Sequence, residues 1–271
     1  MAASLDGAAR TLDSLYRMTP EEILRRLLYR DGLMLVIDKP AGIPVHRGPK
    51  GGENLEDYFY ILAFGLPRVP TLAHRLDRET SGCLVLGRHR KALEKIGKLF
   101  KHGHVGKTYW AVVEGGPAES EGLIDMPLGR RDATRGWWMQ HDPLGLPSQT
   151  RWKVMGRGMD EAQRPICWLE LTPLTGRTHQ LRVHCATSGY AIVGDPIYGS
   201  APRDGGPGLQ LLARDVTLPI AKNRDPVKVA APVPNHMRPF LTACGWSPAK
   251  FREPAYIKST SESPAPEAAQ L

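Results

Sequence analysis

A chain of 271 residues, 41% hydrophobic and 24% charged, is long enough for one large or two small domains and can bury a core. No window reaches the roughly 18 to 20 unbroken apolar residues of a membrane span, and the opening MAASLDGAAR lacks a secretory signal's apolar stretch, so a cytoplasmic protein is expected. The net charge of +8, 36 Lys and Arg against 28 Asp and Glu, favours a polyanionic partner, and the excess is local: residues 74–108 hold nine Lys or Arg against three acids.

In chain order, residues 1–18 have little periodicity and read as a loose arm. Thr19-Pro20-Glu21-Glu22 is a capping box with Pro at the first helical position, which predicts a helix over 20–29. LMLVIDKPAG (33–42) follows as a short buried strand stopped by Pro40 and Gly42, and NLEDYFYILAFG (54–65) as an amphipathic helix. CLVLGR (83–88) is a strand. RKALEKIGKLFKHG (90–103) is a helix that turns Leu93, Ile96, Leu99 and Phe100 inward and Lys91, Lys95, Lys98 and Lys101 outward.

Strands are expected at 107–115, 149–156, 166–173, 209–219 and 227–232, with few helices between them. That spacing argues for an α+β chain with a mixed, largely antiparallel sheet rather than a doubly wound one. THQLRVHCATSG (178–189) reads as a short helix capped by Thr178 and closed by Gly189. The segment 127–147, with the Trp137-Trp138 pair, lacks periodicity and reads as a surface excursion. The polar, Pro-rich tail, 247–271, reads as disordered, which leaves 19–246 as the folded domain. The four cysteines, Cys83, Cys167, Cys185 and Cys244, fit neither metal nor dense disulfide spacing and read as buried thiols.

Three constellations carry chemistry. In LAHRLDRETSG (72–82), Asp77 stands between Arg75 and Arg78, whose charge favours the carboxylate form suited to a nucleophile or electrostatic stabiliser. The alternatives at this point are an Asp that caps the Thr80-Ser81-Gly82 turn, a surface ion pair, or a hydrolase pairing Asp77 with Glu79. In GRTHQLRVH (176–184), Arg177 precedes a helix N-terminus that attracts anions, and Arg182 and His184 add positive character. His179 and His184, five apart, do not share a helix face, which argues against zinc. In KTYWAVV, Lys107, Tyr109 and Ala111 share one strand face, so Tyr109 is either sheet packing or a stacking surface for a base. GDPIYG (194–199) reads as turn punctuation.

Taken in this order, KPAGIPVH (39–46), AHRLDRETSG (73–82), KTYWAVVEG (107–115), GRTHQLRVH (176–184) and GDPIYG (194–199) resemble the RluA-type family of pseudouridine synthases over about residues 30–240. The resemblance implies a largely antiparallel sheet with flanking helices, a cleft that accepts RNA, and isomerisation of uridine to pseudouridine in tRNA or 23S ribosomal RNA without cofactor or metal. Carried over by position, Asp77 matches the catalytic aspartate and Tyr109 the tyrosine that stacks on the target uracil. Arg177 matches the basic residue paired with the aspartate, with Arg182 as a substitute within the motif. Arg75 matches an arginine that contacts RNA around the flipped nucleotide, and Arg78, Lys107, Arg182 and His184 are expected to join it in binding RNA. The family's common N-terminal S4 domain is not expected, because only about 30 residues precede the core. A monomer is expected. An RNA-binding or ribosome-assembly protein that keeps the fold without turnover is the alternative.

Overall fold

The computed structural model describes residues 18–48, 51–132, 138–221 and 223–251. The expected loose arm, apart from Met18, and most of the expected disordered tail lie outside these residues.

The first helix, α1 (Pro20–Arg25), starts from the Thr19–Glu22 capping box that the sequence predicts. It stops four residues earlier than expected, because Leu27–Arg30 forms a strand, β1, paired with β2 (Met34–Lys39) through a bulge between Leu27 and Tyr29. Leu27 and Leu28 satisfy a helical pattern as well as a strand pattern, and pairing with β2 decides between them. The amphipathic segment after β2 is a 3-10 helix, Leu55–Ala63, which buries Leu55, Phe59 and Leu62. Next come β3 (Thr71–Leu72), the wholly buried β4 (Ser81–Gly87) and α2 (Arg90–Lys101), whose Ala92 and Ile96 are buried while its lysines face out.

The rest of the chain supplies β5 (Gly106–Glu114), β6 (Glu121–Asp125), β7 (Leu128–Arg130), β8 (Met139–His141), β9 (Gln149–Met159) and β10 (Pro165–Pro173). Then follow α3 (Gln180–Thr187), β11 (Leu211–Leu218), β12 (Val227–Ala230) and α4 (Arg238–Ala243). The segment 127–147 is therefore not featureless: β7 and β8 pair as a two-stranded ribbon. Trp137 lies outside the described residues.

Ten strands form one sheet in the order β1-β2-β4-β11-β5-β10-β9-β6, with β12 on β11 and β3 on β4. Every described pairing is antiparallel except β4 with β11. The expected mixed, largely antiparallel α+β architecture is what the chain adopts. No helix of the described residues is long and apolar enough to cross a membrane.

Alternation along the strands sends side chains to two faces. Trp110, Val112, Trp168 and Leu212 join one core, capped by Met237, in a short 3-10 helix Asn235–Met237, and by Leu241 of α4. The opposite face carries two separate cores, one around Ala111, Leu169, Leu181 and Leu211, the other around Leu35, Phe59, Leu84 and Ala213. Tyr109 packs against both, so it marks the seam between them.

Candidate active site

A cleft of about 900 Å³ opens along that seam, lined by Arg75, Asp77, Lys107, Tyr109, Arg177 and Arg182 among others. Its floor is set by strand register. Gly82 lies opposite Ala213 and Ala213 opposite Tyr109, so the loop that ends at β4 is brought beside β5 although 27 residues separate Gly82 from Tyr109 in sequence. Gly82 has a φ of +107°, and a Cβ there would lie 2.3 Å from the Ala213 carbonyl oxygen. Only glycine lets β4 and β11 approach this closely.

The Asp77 loop is clamped from both ends. Upstream, the Val85 amide donates to His74 Nε2 at 3.0 Å, so a side chain continues the ladder that β3 begins, and Phe100 stacks on the imidazole at 4.5 Å. Burial first, then the nearby Lys107 charge, lowers the His74 pKa to about 4, which keeps the ring neutral and able to accept. Downstream, Lys39 is fully buried, and its Nζ donates to the carbonyls of Pro40, Arg78 and Thr80 at 2.8, 2.8 and 3.0 Å. Burial draws its pKa down to about 7 against the carboxylates of Glu79, Asp77 and Asp38, while the three hydrogen bonds it donates call for all three ammonium protons. Arg78 Nε donates to Gly42 O at 2.8 Å, and the Gly42 amide donates back to Arg78 O at 3.0 Å. The result is an Asp77 side chain 30% exposed, presented on a fixed backbone.

Facing it, Arg182 and Asp195 are almost wholly buried, at 3% and 0% side-chain exposure. Arg182 Nε and Nη2 donate to Asp195 Oδ2 and Oδ1 at 2.8 and 2.7 Å. Burial opposes both charges, but the mutual hydrogen bonds and attraction outweigh it, so the Asp195 pKa falls and the Arg182 pKa rises. The remaining nitrogen, Arg182 Nη1, lies 3.7 Å from Asp77 Oδ2. Asp195 Oδ1 also accepts from the Ile197 and Tyr198 amides. Burial, then the Asp77 charge, raises the Tyr109 pKa well above that of a free phenol, so its hydroxyl keeps its proton.

A family model described as RNA pseudouridylate synthase matches residues 33–187, more than half of the chain and nearly all the residues of this cleft. The chain belongs to the RNA pseudouridylate synthase family. It is an isomerase by that membership. Among its relatives, a Zymomonas mobilis protein described as an uncharacterized RNA pseudouridine synthase is 40% identical over 215 residues, covering 78% of this chain and 95% of the relative. The ribosomal large subunit pseudouridine synthase D of Yersinia pestis is 34% identical over 191 residues, 69% of this chain and 56% of that protein. The solved structure of human RNA pseudouridylate synthase domain containing 4 superposes with a TM-score of 0.67 at 25% identity, covering 87% of this chain and 97% of that one.

Against this pseudouridine synthase cleft, the residues expected from sequence divide into two groups. Arg75, Asp77, Arg78, Lys107, Tyr109, Arg177 and Arg182 all line it. The ion pair expected between Arg177 and Asp77 is not the one formed. Arg177 Nε donates to Pro147 O at 3.2 Å, and the pairing guanidinium is that of Arg182. The reason is helix phase: α3 begins at Gln180, so residue 182 turns inward from its first turn while residue 177 stays on the preceding loop. Arg182, buried against Asp195, is correspondingly a poor phosphate ligand.

His184 does not line the cleft. It is fully buried, with Nδ1 at 2.9 Å from Thr150 Oγ1 and Nε2 at 3.0 Å from Met126 O, and burial lowers its pKa. Thr178 does not cap α3, because His179 is the N-cap, in the left-handed conformation with φ 52°. Sequence reasoning gave no role to Lys39, Asp195 or His179. The one available signal was a charged pair, Asp38-Lys39, ending the apolar run LMLVI. Nothing local distinguishes Asp195 from turn punctuation.

Proposed function

We propose that this protein isomerises specific uridines to pseudouridine in tRNA, 23S ribosomal RNA or both, with Asp77 as the reacting carboxylate and no cofactor. The observation that carries this reading is a solvent-accessible Asp77 facing a buried Arg182 in a cleft that Tyr109 also lines. A uridine within a stem-loop must be extruded to reach that floor, at a cost on the order of a few kcal/mol. Phosphate contacts from Arg75, Arg78, Lys107 and Arg177 offset it, and the Tyr109 ring receives the uracil face.

Asp77 then opens the glycosidic bond, by attack at the ribose C1′ or the uracil C6 or by assisting elimination to a glycal. The bond from C1′ to N1 breaks, the base turns, and C1′ bonds to C5. The C5 proton is lost and N1 ends protonated, so composition is unchanged. Arg182 holds the carboxylate turned toward the base, and Asp195 keeps Arg182 in place. The protein acts as a monomer in the cytoplasm, where its buried free thiols stay reduced.

The test is incubation with bulk tRNA and rRNA lacking pseudouridine, followed by carbodiimide labelling and primer extension. Wild type should create discrete pseudouridine stops, and Asp77→Asn and Asp77→Ala should create none. RNA binding without any stop would favour a ribosome-assembly protein without turnover. Release of free uracil would mean a hydrolase.

A further inference from the structure

His179 stands between Asp77 and Tyr198. Its side chain is 8% exposed. Nε2 lies 3.7 Å from Asp77 Oδ2, and Nδ1 lies 2.9 Å from the Tyr198 hydroxyl. The Tyr198 oxygen already accepts from the Met139 amide at 3.0 Å. Its own proton therefore has His179 Nδ1 as an acceptor. On the other side of the ring a carboxylate can only accept, so the nitrogen facing Asp77 is the one that should carry the proton. The two constraints, from opposite ends of the imidazole, select the same tautomer.

The charges around the ring agree with a neutral imidazole. Burial is the largest influence and lowers the His179 pKa, the Asp77 carboxylate opposes, Arg182 lowers it further, and Asp195 opposes weakly. Tyr198, whose pKa burial raises, stays a donor. Its ring also covers the Arg182 guanidinium at 5.3 Å, so one tyrosine touches both groups that face Asp77. The left-handed backbone at residue 179, on the loop side of α3, aims the ring into the cleft instead of along the helix.

We propose that His179, held by Tyr198 as the Nε2–H tautomer, is a positioning residue for the Asp77 carboxylate, and that the Met139 amide ties this setting to the β7–β8 ribbon. The inference rests on the reading of Asp77 as the reacting carboxylate. A neutral N–H steers Oδ2 without adding a second positive charge, whereas a further cation beside Arg182 would quench the nucleophile. The ribbon that supplies Met139 lies in segment 127–147, outside the family motifs, so RNA bound against it acts on Asp77 through one amide, one hydroxyl and one imidazole.

The tautomer is read by long-range nitrogen–proton correlation spectra of 15N-histidine-labelled protein without RNA, with the His179 signals assigned by their loss in His179→Gln. Wild type should show a protonated Nε2 and a bare Nδ1, and Tyr198→Phe should shift the ring toward a mixture. In turnover assays Tyr198→Phe should lower kcat about tenfold with KM and Tm unchanged. His179→Gln, which can present an amide N–H to Asp77, should keep at least fivefold more kcat than His179→Leu, the backbone strain being common to both. A protonated Nδ1 in wild type, a Tyr198→Phe with wild-type spectra and kcat, or a Gln variant no better than Leu would each overturn the proposal. A wild type that makes no pseudouridine overturns the functional reading instead, since the spectra need no RNA.

Discussion

Arg182 holds Nη1 3.7 Å from Asp77 Oδ2 while its other two nitrogens are tied to Asp195. A guanidinium clamped on one carboxylate cannot swing away from the other. Its charge is thus fixed in place before substrate arrives, which is what makes a buried cation effective at a reacting centre. Lysine offers a point charge and cannot span both acids. Arg182→Lys should therefore lower kcat about a hundredfold. Arg177→Ala, on the outer loop, should leave kcat within about threefold and raise KM through one lost phosphate contact. Steady-state kinetics on a defined RNA stem-loop separate the two. Equal kcat losses would restore Arg177 as the partner of Asp77.

Tyr109 sits at the seam of the two cores, and its hydroxyl stays protonated under the influence of burial and of Asp77. Removing only that oxygen keeps the aromatic ring. Tyr109→Phe should lower kcat by about a hundredfold, the usual scale of a positioned proton donor, with RNA Kd changed less than about twofold. Single-turnover rates beside filter-binding constants test this. Equal losses in both would assign Tyr109 to binding alone.

Gly82 and Gly97 make opposite predictions from the same substitution. A Cβ at Gly82 meets the Ala213 carbonyl at 2.3 Å on a backbone with φ +107°. Gly82→Ala should destabilise by about 3 kcal/mol or more, since strain and overpacking combine. Gly97 lies within α2 with open space around its Cα, so Gly97→Ala should stabilise by up to about 1 kcal/mol. Urea unfolding midpoints read both.

His74 couples stability to pH through the Asp77 loop. Its pKa is about 4 in the folded chain against 6.5 when exposed. Between those values the unfolded state binds a proton that the folded state refuses, so the contribution is complete above pH 6.5 and is lost as pH falls toward 4. The loss is at most about 3 kcal/mol. His74→Gln should flatten the stability curve over that window relative to wild type, while parallel curves would show that the imidazole is not the titrating group.

Much of the site was legible because its parts are contiguous. Thr80-Ser81-Gly82 follow Asp77 within five residues, Lys107 and Tyr109 share one face of a strand, and their motif order carried the family and the fold. Where reasoning from sequence failed, two local rules competed or a long-range contact decided. Leu27 and Leu28 fit helix and strand alike. Arg177 and Arg182 differ only in where α3 begins, a one-turn question at an uncapped, left-handed His179. His184 has the composition of a surface cation and the burial of a core residue, because Thr150 and Met126, 34 and 58 residues away, satisfy both its nitrogens.

The amino-acid sequence by itself determined the sheet-rich architecture and, through its motifs, the family and the candidates Asp77 and Tyr109, since periodicity and contiguous motifs are local properties. Tertiary structure alone decided which arginine faces Asp77, that Asp195 holds it, that Lys39 gathers three carbonyls under the loop, and that Tyr198 and His179 stand beside the carboxylate. Each of those choices depends on residues 13 to more than 100 positions apart meeting across strand register and helix phase. Directional hydrogen bonds and buried charge resolve such choices only once the sheet has brought the groups within reach.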